Sequence, residues 1–324
     1  MIISRVPLRI TLGGGGTDLR SYFALKGGYV ISLAIRKYIT IIINENLKKN
    51  YEIKYSLYEN VKKINDINHN IIRECLKRLK IKKFLEIGCY SDVPYGTGLG
   101  SSGAFTVCLL SALYKFKKKK ILKKKIIEEA YKIEKIILKQ PVGYQDQAIA
   151  TYGGVLEQIY KKNKILYKKI KISPNLKNKI KKNFFLIGTN SNRNSKVILK
   201  TQEKLLKKKS INMISNLDYV KKLGLKTKKS ILNNLQGYDK IMNEHWLYKL
   251  KREGMTIDNN TKILINHIKN KVLSLKLVGA GGSGYVLAYT SRSNQLKKIL
   301  IRKKYIFFNV DIDNHGLKII NSTL

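Results

Sequence analysis

The sequence predicts a mixed α/β protein of two domains, and three observations predict it. Apolar β-rich runs alternate with helix-period segments through the first half. The second half is more helical and closes with strand, glycine turn, strand, helix and strand. The 324 residues, 44% of them apolar, are enough for two domains and a sizeable core. The boundary is expected near Ser173-Pro174, giving residues 1–173 and 174–324. There is no internal repeat and no linker.

The elements follow in order. Arg5–Leu12 reads as extended and runs into Gly13-Gly14-Gly15-Gly16-Thr17-Asp18. Four glycines expose backbone, and the carboxylate beyond them suits a polyol. Capping of a short helix over Leu19–Leu25 is the alternative role for Asp18. The runs YVISLAI and YITIII after Gly27-Gly28 read as two adjacent strands, and Tyr51–Leu57 as another. His69–Leu79 reads as a helix, with His69 at the surface or capping.

Phe84–Tyr90 reads as a strand that leads into Asp92–Tyr114, DVPYGTGLGSSGAFTVCLLSALY. Its glycines surround Ser101 and Ser102, and Phe105, Leu109, Ala112 and Leu113 then recur at helical spacing. Unpartnered amides at a helix start, behind a glycine loop, are a seat for phosphate. Gly98 to Gly103 fits G-x-G-x-x-G, but no carboxylate follows before Glu128, so a dinucleotide site is discounted. A Walker A loop needs Gly-Lys-Ser/Thr, which is absent here.

Lys123–Lys139 reads as a helix whose buried face carries Ile127, Ala130 or Tyr131, and Leu138. Glu134 falls on that stripe, where a carboxylate needs a metal ion or a cationic side chain. Glu128 and Glu129 suit the dipole of the helix start. Asp146 opens a short helix after Gly143, as its cap or as a general base. Strands are expected at Val155–Tyr160, Leu166–Ile172 and Phe184–Ile187. Helices are expected over Asn194–Lys208, Ile211–Leu223 and Lys229–Leu250. Leu275–Thr290 reads as strand, glycine turn, strand, with more glycines than a hairpin requires. Helix Gln295–Ile301 and strand Tyr305–Val310 finish the chain.

Composition narrows the classes. No stretch has the uninterrupted apolar length of a membrane span, and MIISRVPLRITL lacks a basic region, an apolar segment and a small-residue cleavage site in signal-peptide order. Three cysteines at no metal spacing (Cys75, Cys89 and Cys108) suggest reduced thiols in a cytoplasm. The net charge of +44 raises nucleic-acid binding. Lys, Ile and Asn are enriched together, however, and their codons share A and T. The lysines interleave with Ile and Leu, which gives apolar stripes beneath solvated basic faces.

Three motifs stand in one order: Pro7–Asp18 (PLRITLGGGGTD), Pro94–Ser102 (P-x-x-x-G-L-G-S-S) and Val278–Val286 (VGAGGSGYV). In order and spacing they resemble the motifs of the GHMP kinases, the family of galactokinase, homoserine kinase, mevalonate kinase and phosphomevalonate kinase. The constellation Glu134…Gly143-x-Gln145-Asp146…Gly153-Gly154 matches too, so the resemblance spans nearly the whole chain. It implies an N-terminal α/β domain with a left-handed βαβ unit, a ferredoxin-like C-terminal domain, and ATP between them. Pro94, Gly96, Gly98, Leu99, Gly100, Ser101, Ser102 and Gly103 would bind ATP. Ser102 and Glu134 would hold Mg2+. Asp146 matches the proposed base, and Arg9 the basic residue that pairs with it. Gly15, Gly16, Thr17 and Asp18 would grip a sugar. Gly279, Gly281 and Gly282 would close over the phosphates and shape the acceptor site.

Within the family, four glycines before Thr-Asp are similar to the branch that phosphorylates sugars at the anomeric hydroxyl. GTNSNRNSKVILKTQE, with Arg193 and Ser195, and NEHWLYKLKREGMT, with His245 and Trp246, resemble segments of that branch. Two departures bear on the substrate. Asn190-Ser191-Asn192-Arg193 replaces a Gly-Ile-x-Arg-like stretch, and Ser283 stands where Gly is usual. The resemblance implies D-glycero-D-manno-heptose 7-phosphate as acceptor and its 1,7-bisphosphate as product, for nucleotide-activated heptose and surface polysaccharide (capsule or lipopolysaccharide). Arg193 would touch substrate, and Arg20, Arg36, Arg193 and Lys196 are candidates for its phosphate. The implied partners are ATP and a sugar phosphate. No specific nucleic acid or membrane is expected of a cytoplasmic monomer or homodimer. The alternatives are a kinase for another sugar such as fucose, or a non-catalytic nucleic-acid- or sugar-binding protein on the same scaffold.

Overall fold

The computed structural model describes residues 1–191, 195–253 and 255–321. Its larger sheet is built around strand Gly28–Glu45, apolar enough to be buried along most of its length. Strand Ile2–Gly13 pairs antiparallel along one edge. The other edge is shared by Val155–Lys161 near the start of the long strand and Leu85–Ser91 near its end. Tyr51–Lys54 adds in parallel to Leu85–Ser91, after which Tyr58–Val61 closes that side. Between the two parallel strands lies helix Asn70–Arg78, completing a βαβ unit. Lys164–Ile170 lies outside Val155–Lys161.

The expected pair of strands over residues 29–43 is thus one strand. Arg36-Lys37 offers no Gly, Pro or Asn to turn the chain. The strand bends there instead, because Pro7 pairs with Tyr38 and Leu8 with Ile35, so two residues bulge out of register.

Helix Ser101–Phe116 lies on this sheet and buries residues nearly all round, including Val107, Cys108, Leu109 and Leu113. Such a helix belongs inside a core rather than on its surface. Lys123–Tyr131 shows the opposite composition. Ile126, Ile127, Ala130 and Tyr131 are buried while Lys123, Lys124 and Lys125 face solvent, as the interleaved lysines predict. Glu129 does not serve a helix start. It is buried and accepts from Arg78 Nε and, at 3.0 Å, from Nη2, and these contacts hold its carboxyl below the usual range.

The second sheet has the order Phe307–Asn309, Phe184–Gly188, Tyr285–Tyr289, Ser274–Leu277, with every neighbour antiparallel. In chain order its strands stand 4-1-3-2, with helices between the first and second and helix Ser293–Arg302 between the third and fourth. That is the ferredoxin-like arrangement. The helix expected to end at Leu223 runs on, from Ile211 to Leu232, straight through Gly224, whose missing side chain lets the helix pack closely on Tyr29 and Gly14 rather than ending it. Tyr238–Leu250 follows after a turn at Gly237. Tyr305–Val310 does not end the ordered chain, since Lys318–Asn321 returns to pair with Ile2–Gly13.

Candidate active site

The glycine loop and the strand Ile2–Gly13 meet at a charge pair. Arg9 is 7% exposed and lies at the middle of that strand. Its Nε donates to Asp146 Oδ1 at 2.7 Å, and its Nη2 lies 2.7 Å from the same oxygen. Its Nη1 donates to the Gly98 carbonyl at 2.6 Å, while the Arg9 amide donates to the Leu99 carbonyl at 3.0 Å. One side chain therefore ties the loop to Asp146. Gly100 caps helix Ser101–Phe116 with φ +80°. A Cβ there would sit 3.1 Å from Arg9 Nε and 3.2 Å from Asp146 Cγ, so the loop passes directly over the pair. Asp146 stands in the first turn of helix Gln145–Tyr152 but does not cap it, since Tyr144 occupies that position.

Glu134 is fully buried on a π-helical stretch, Lys132–Ile137, that continues the helix Lys123–Tyr131. Such turns often mark functional positions. One carboxylate oxygen accepts from Ser102 Oγ, and the other accepts from Gln147 Nε2 at 2.7 Å. Burial pushes its carboxyl up to about 7. Among the described residues it makes no ion pair, although the chain carries 65 Lys and Arg. A cation-free buried carboxylate beside a hydroxyl, at a phosphate loop, fits magnesium, which takes few protein oxygens and keeps water and phosphate as its other ligands. No group of three or more His, Cys, Asp or Glu among the described residues offers an all-protein cage.

On one side of the loop lies a cavity of roughly 610 Å³, lined by Tyr55, His69, Tyr95, Ser101, Ser102 and Phe105, with Pro94 at its rim. His69 stacks on Phe105 at 4.9 Å between ring centroids, and Tyr55 meets His69 edge-on. His69 also caps its helix, accepting from the Ile72 amide at 3.4 Å. This aromatic wall suits a nucleobase. The sequence signals only the cap, because the three rings come from separate elements.

On the other side, Arg9, Gly15, Gly16, Asp18, Asp146 and Gly279 line a second, polar cavity. Asp18 does not cap the following helix, where Leu19 holds the cap position. Its Oδ2 accepts from the Gln145 amide at 3.3 Å. Burial, and then nearby Asp146, push its carboxyl up to about 6. Thr17 is fully buried and its hydroxyl faces the Gly14 and Tyr29 backbone, so it shapes the glycine turn rather than the cavity wall. Leu99 is likewise core. The third glycine segment packs backbone on backbone: a Cβ on Gly279 (φ +64°) would meet Gly98 Cα at 2.6 Å. Gly281 and Gly282 lie beyond the cavity wall. Arg193 lies outside the described residues, as does the side chain of Lys196. Arg20 is exposed beside Tyr144, and Arg36 is exposed and paired with Asp311, so neither lines the cavity.

The cavity holds cations that sequence patterns do not single out. Lys249, Arg252 and Lys276, with His245, form its far wall. They come from helix Tyr238–Leu250, the turn after it and strand Ser274–Leu277; His245, Lys249 and Arg252 fall in the segment NEHWLYKLKREGMT, of which the sequence marks only His245 and Trp246.

A glycine loop at a helix start, a buried Arg–Asp pair beneath it and a cavity beyond it form one cleft, and comparison with known proteins says what such a cleft serves. Residues 69–154 match the GHMP kinases N terminal domain family. These residues carry that domain, and the chain is a phosphotransferase. It is 28% identical to the D-glycero-alpha-D-manno-heptose 7-phosphate kinase of Campylobacter jejuni, over 94% of this chain and 95% of that protein. Its fold is similar to that of a D-glycero-D-manno-heptose 1-phosphate kinase from Bacteroides thetaiotaomicron, with a TM-score of 0.81 at 18% identity across 100% of both chains. Lactococcus lactis galactokinase, solved with galactose, has a TM-score of 0.76 at 16% identity, covering 98% of this chain and 95% of that one. No helix among the described residues is long and apolar enough to cross a membrane.

Proposed function

We propose that the protein transfers the γ-phosphoryl group of ATP to the anomeric hydroxyl of D-glycero-D-manno-heptose 7-phosphate. The observation that carries this reading is the Arg9–Asp146 pair, held under the phosphate loop and open to the polar cavity. Loop, pair and cavity supply what phosphoryl transfer needs: a held donor, an aligned acceptor and compensation of charge. The 28% identity to the Campylobacter enzyme supports the choice of sugar.

In this reading, residues 1–173 bind the nucleotide and 174–324 complete the cleft. Gly96, Gly98, Gly100 and Gly103 let the backbone reach the phosphates, with the first amides of helix Ser101–Phe116 facing them. The base sits among Tyr55, His69 and Phe105. Ser102 and Glu134 hold magnesium, which when bound neutralises phosphate charge. Asp18, with Gly15 and Gly16, orients the sugar. The anomeric oxygen bonds to the γ-phosphorus as the bond to ADP breaks, and the hydroxyl proton passes to Asp146. Both Arg9 contacts fall on Asp146 Oδ1, which leaves Oδ2 for that proton. The product, a sugar 1,7-bisphosphate, would feed nucleotide-activated heptose in the cytoplasm.

The test is ADP release with magnesium-ATP against heptose 7-phosphate, free heptose, fucose, galactose, mannose and homoserine. Turnover with heptose 7-phosphate above all others is the expected result. Turnover only with another sugar would move the substrate. No turnover from folded, ATP-binding protein would overturn the reading.

A further inference from the structure

The acceptor cavity carries more positive charge than its own carboxylates balance. Arg9 is matched by Asp146. Beyond that pair the lining offers one carboxylate, Asp18, against Lys249, Arg252 and Lys276. Arg252 and Lys276 are each 7% exposed, and Lys249 is half-buried. None of the three forms an ion pair with a described residue. Their partners are neutral. Lys249 Nζ donates to the Leu277 and Gly279 carbonyls at 2.8 and 2.7 Å. Lys276 Nζ donates to the Leu12 carbonyl at 2.7 Å, and Arg252 Nε to Asn216 Oδ1 at 3.1 Å.

Buried charges without counter-charge are expensive, and surface lysines elsewhere in the chain incur no such penalty. Burial pushes Lys276 down to about 7 and Arg252 down to about 10. Burial and the neighbouring cations push Lys249 and His245 well below their ordinary values. A second observation points the same way. His245 is 7% exposed, lines the same cavity, and its Nε2 has no hydrogen-bond partner. With its other ring nitrogen bonded to the Leu223 backbone, this neutral imidazole leaves Nε2 as an acceptor, a partner for a hydroxyl of the same ligand.

We infer that Lys249, Arg252 and Lys276 form an anion site that takes the phosphate already present on the acceptor, so that the enzyme selects a phosphorylated sugar over its free form. The inference rests on the kinase reading for the sugar in the cavity. A dianion would neutralise most of the surplus charge, and Arg and Lys both bind phosphate oxygens strongly in a desolvated setting. The two functional ends of the substrate are then held by different parts of the chain. Asp146 faces the hydroxyl that reacts, and the cationic wall holds the phosphate that does not.

In the absence of ligand, Lys276→Met removes a buried amine whose charged form has no counter-charge, while the Leu12 carbonyl keeps the Tyr238 hydroxyl at 3.1 Å as a partner. This variant should melt higher than the parent, by roughly 3 °C or more, while binding phosphate worse. A purely structural lysine would show the opposite sign in melting and no change in binding.

The experiment is calorimetric titration without nucleotide, using inorganic phosphate, heptose 7-phosphate and free heptose as probes. The parent protein should bind heptose 7-phosphate at least roughly 30-fold more tightly than heptose. Lys276→Met and Arg252→Gln should each cut that preference by about tenfold or more. If Arg252→Gln does not fold, Lys249→Met replaces it, since that side chain is only half-buried. Equal binding of the two sugars, or variants that keep the preference, would overturn the inference. The kinase reading fails separately. Absence of ADP formation with every acceptor would sink it while a charge-dependent preference in titration still stood. Equal kcat/KM for free and phosphorylated heptose would remove the anion site and leave the kinase.

Discussion

The two sides of the phosphate loop are built by different means. In the proposed reading the phosphate seat on the nucleotide side is mostly backbone, glycines and helix amides from one contiguous stretch, although its buried carboxylate and its aromatic wall come from other elements. The acceptor side is mostly side chains, brought together from residues 9 to 280 by the topology of both sheets. A backbone site must be written as a local pattern, because only particular residues allow its dihedrals and close approaches. A side-chain site needs no local pattern. It needs the right charges to arrive at one place, and a chain with 65 Lys and Arg hides three of them easily.

Substitutions on either side test that contrast. The largest effect is expected at the hinge between the two sides. Asp146→Asn should lower kcat by about 10²-fold or more with little change in the KM for ATP, as measured by steady-state ADP release. An equal loss in ATP affinity would mean that the pair serves the loop rather than the acceptor.

Asp18 belongs to the acceptor side, and its effect should be a trade of function for stability. Its folded carboxyl lies at about 6 against an ordinary 3.8, with burial the main cause. A raised folded value favours the fold below 3.8, and that contribution is lost as pH rises through about 6. Asp18→Asn should therefore be more stable than the parent at pH 7, by at most about 3 kcal/mol. The difference should vanish by about pH 4 in denaturant unfolding run across that range. Sugar binding should weaken in the same variant, because a carboxylate facing a polyol is lost. A stability difference that does not change with pH would remove the buried carboxyl as its cause.

Gly279→Ala probes the seam between the sides. The new methyl would collide with Gly98 at a backbone angle that favours glycine. A loss of about 2 kcal/mol is expected in unfolding, with a rise in the KM for ATP because the phosphate loop must shift. The smallest effect is expected on the nucleotide wall. Phe105→Ala should raise the KM for ATP by about tenfold and leave acceptor KM alone, since base stacking contributes about 1–3 kcal/mol. An acceptor effect as large as the ATP effect would put the base elsewhere.

What the sequence disclosed follows the same division. The loop at residues 98–103 and the close third glycine segment were visible because glycine spacing records backbone geometry. Asp146 and Glu134 were visible as carboxylates at costly or special positions, and the family resemblance set Arg9 beside the first and Ser102 beside the second, whereas Gln147 as a partner of Glu134 was not visible. Glu134 meets Ser102 and Gln147 rather than a lysine or arginine, since a helix stripe says which face is buried and not what it meets. Thr17 sat inside a motif and proved to brace the turn through its hydroxyl. Lys249, Arg252 and Lys276 went unnoticed because their burial depends on the packing of distant elements. The return of Lys318–Asn321 to the first sheet was equally silent, for strand partners across more than 300 residues leave no periodic trace.

The central claim is that the cavity beside Asp146 presents an anomeric hydroxyl to the γ-phosphate. Phosphorus NMR of the reaction of magnesium-ATP with heptose 7-phosphate tests it most directly. The account predicts ADP together with a second sugar phosphate resonance coupled to the anomeric proton, and neither with Asp146→Asn over the same period. ADP with inorganic phosphate alone, or a new phosphate on any other sugar carbon, would contradict it.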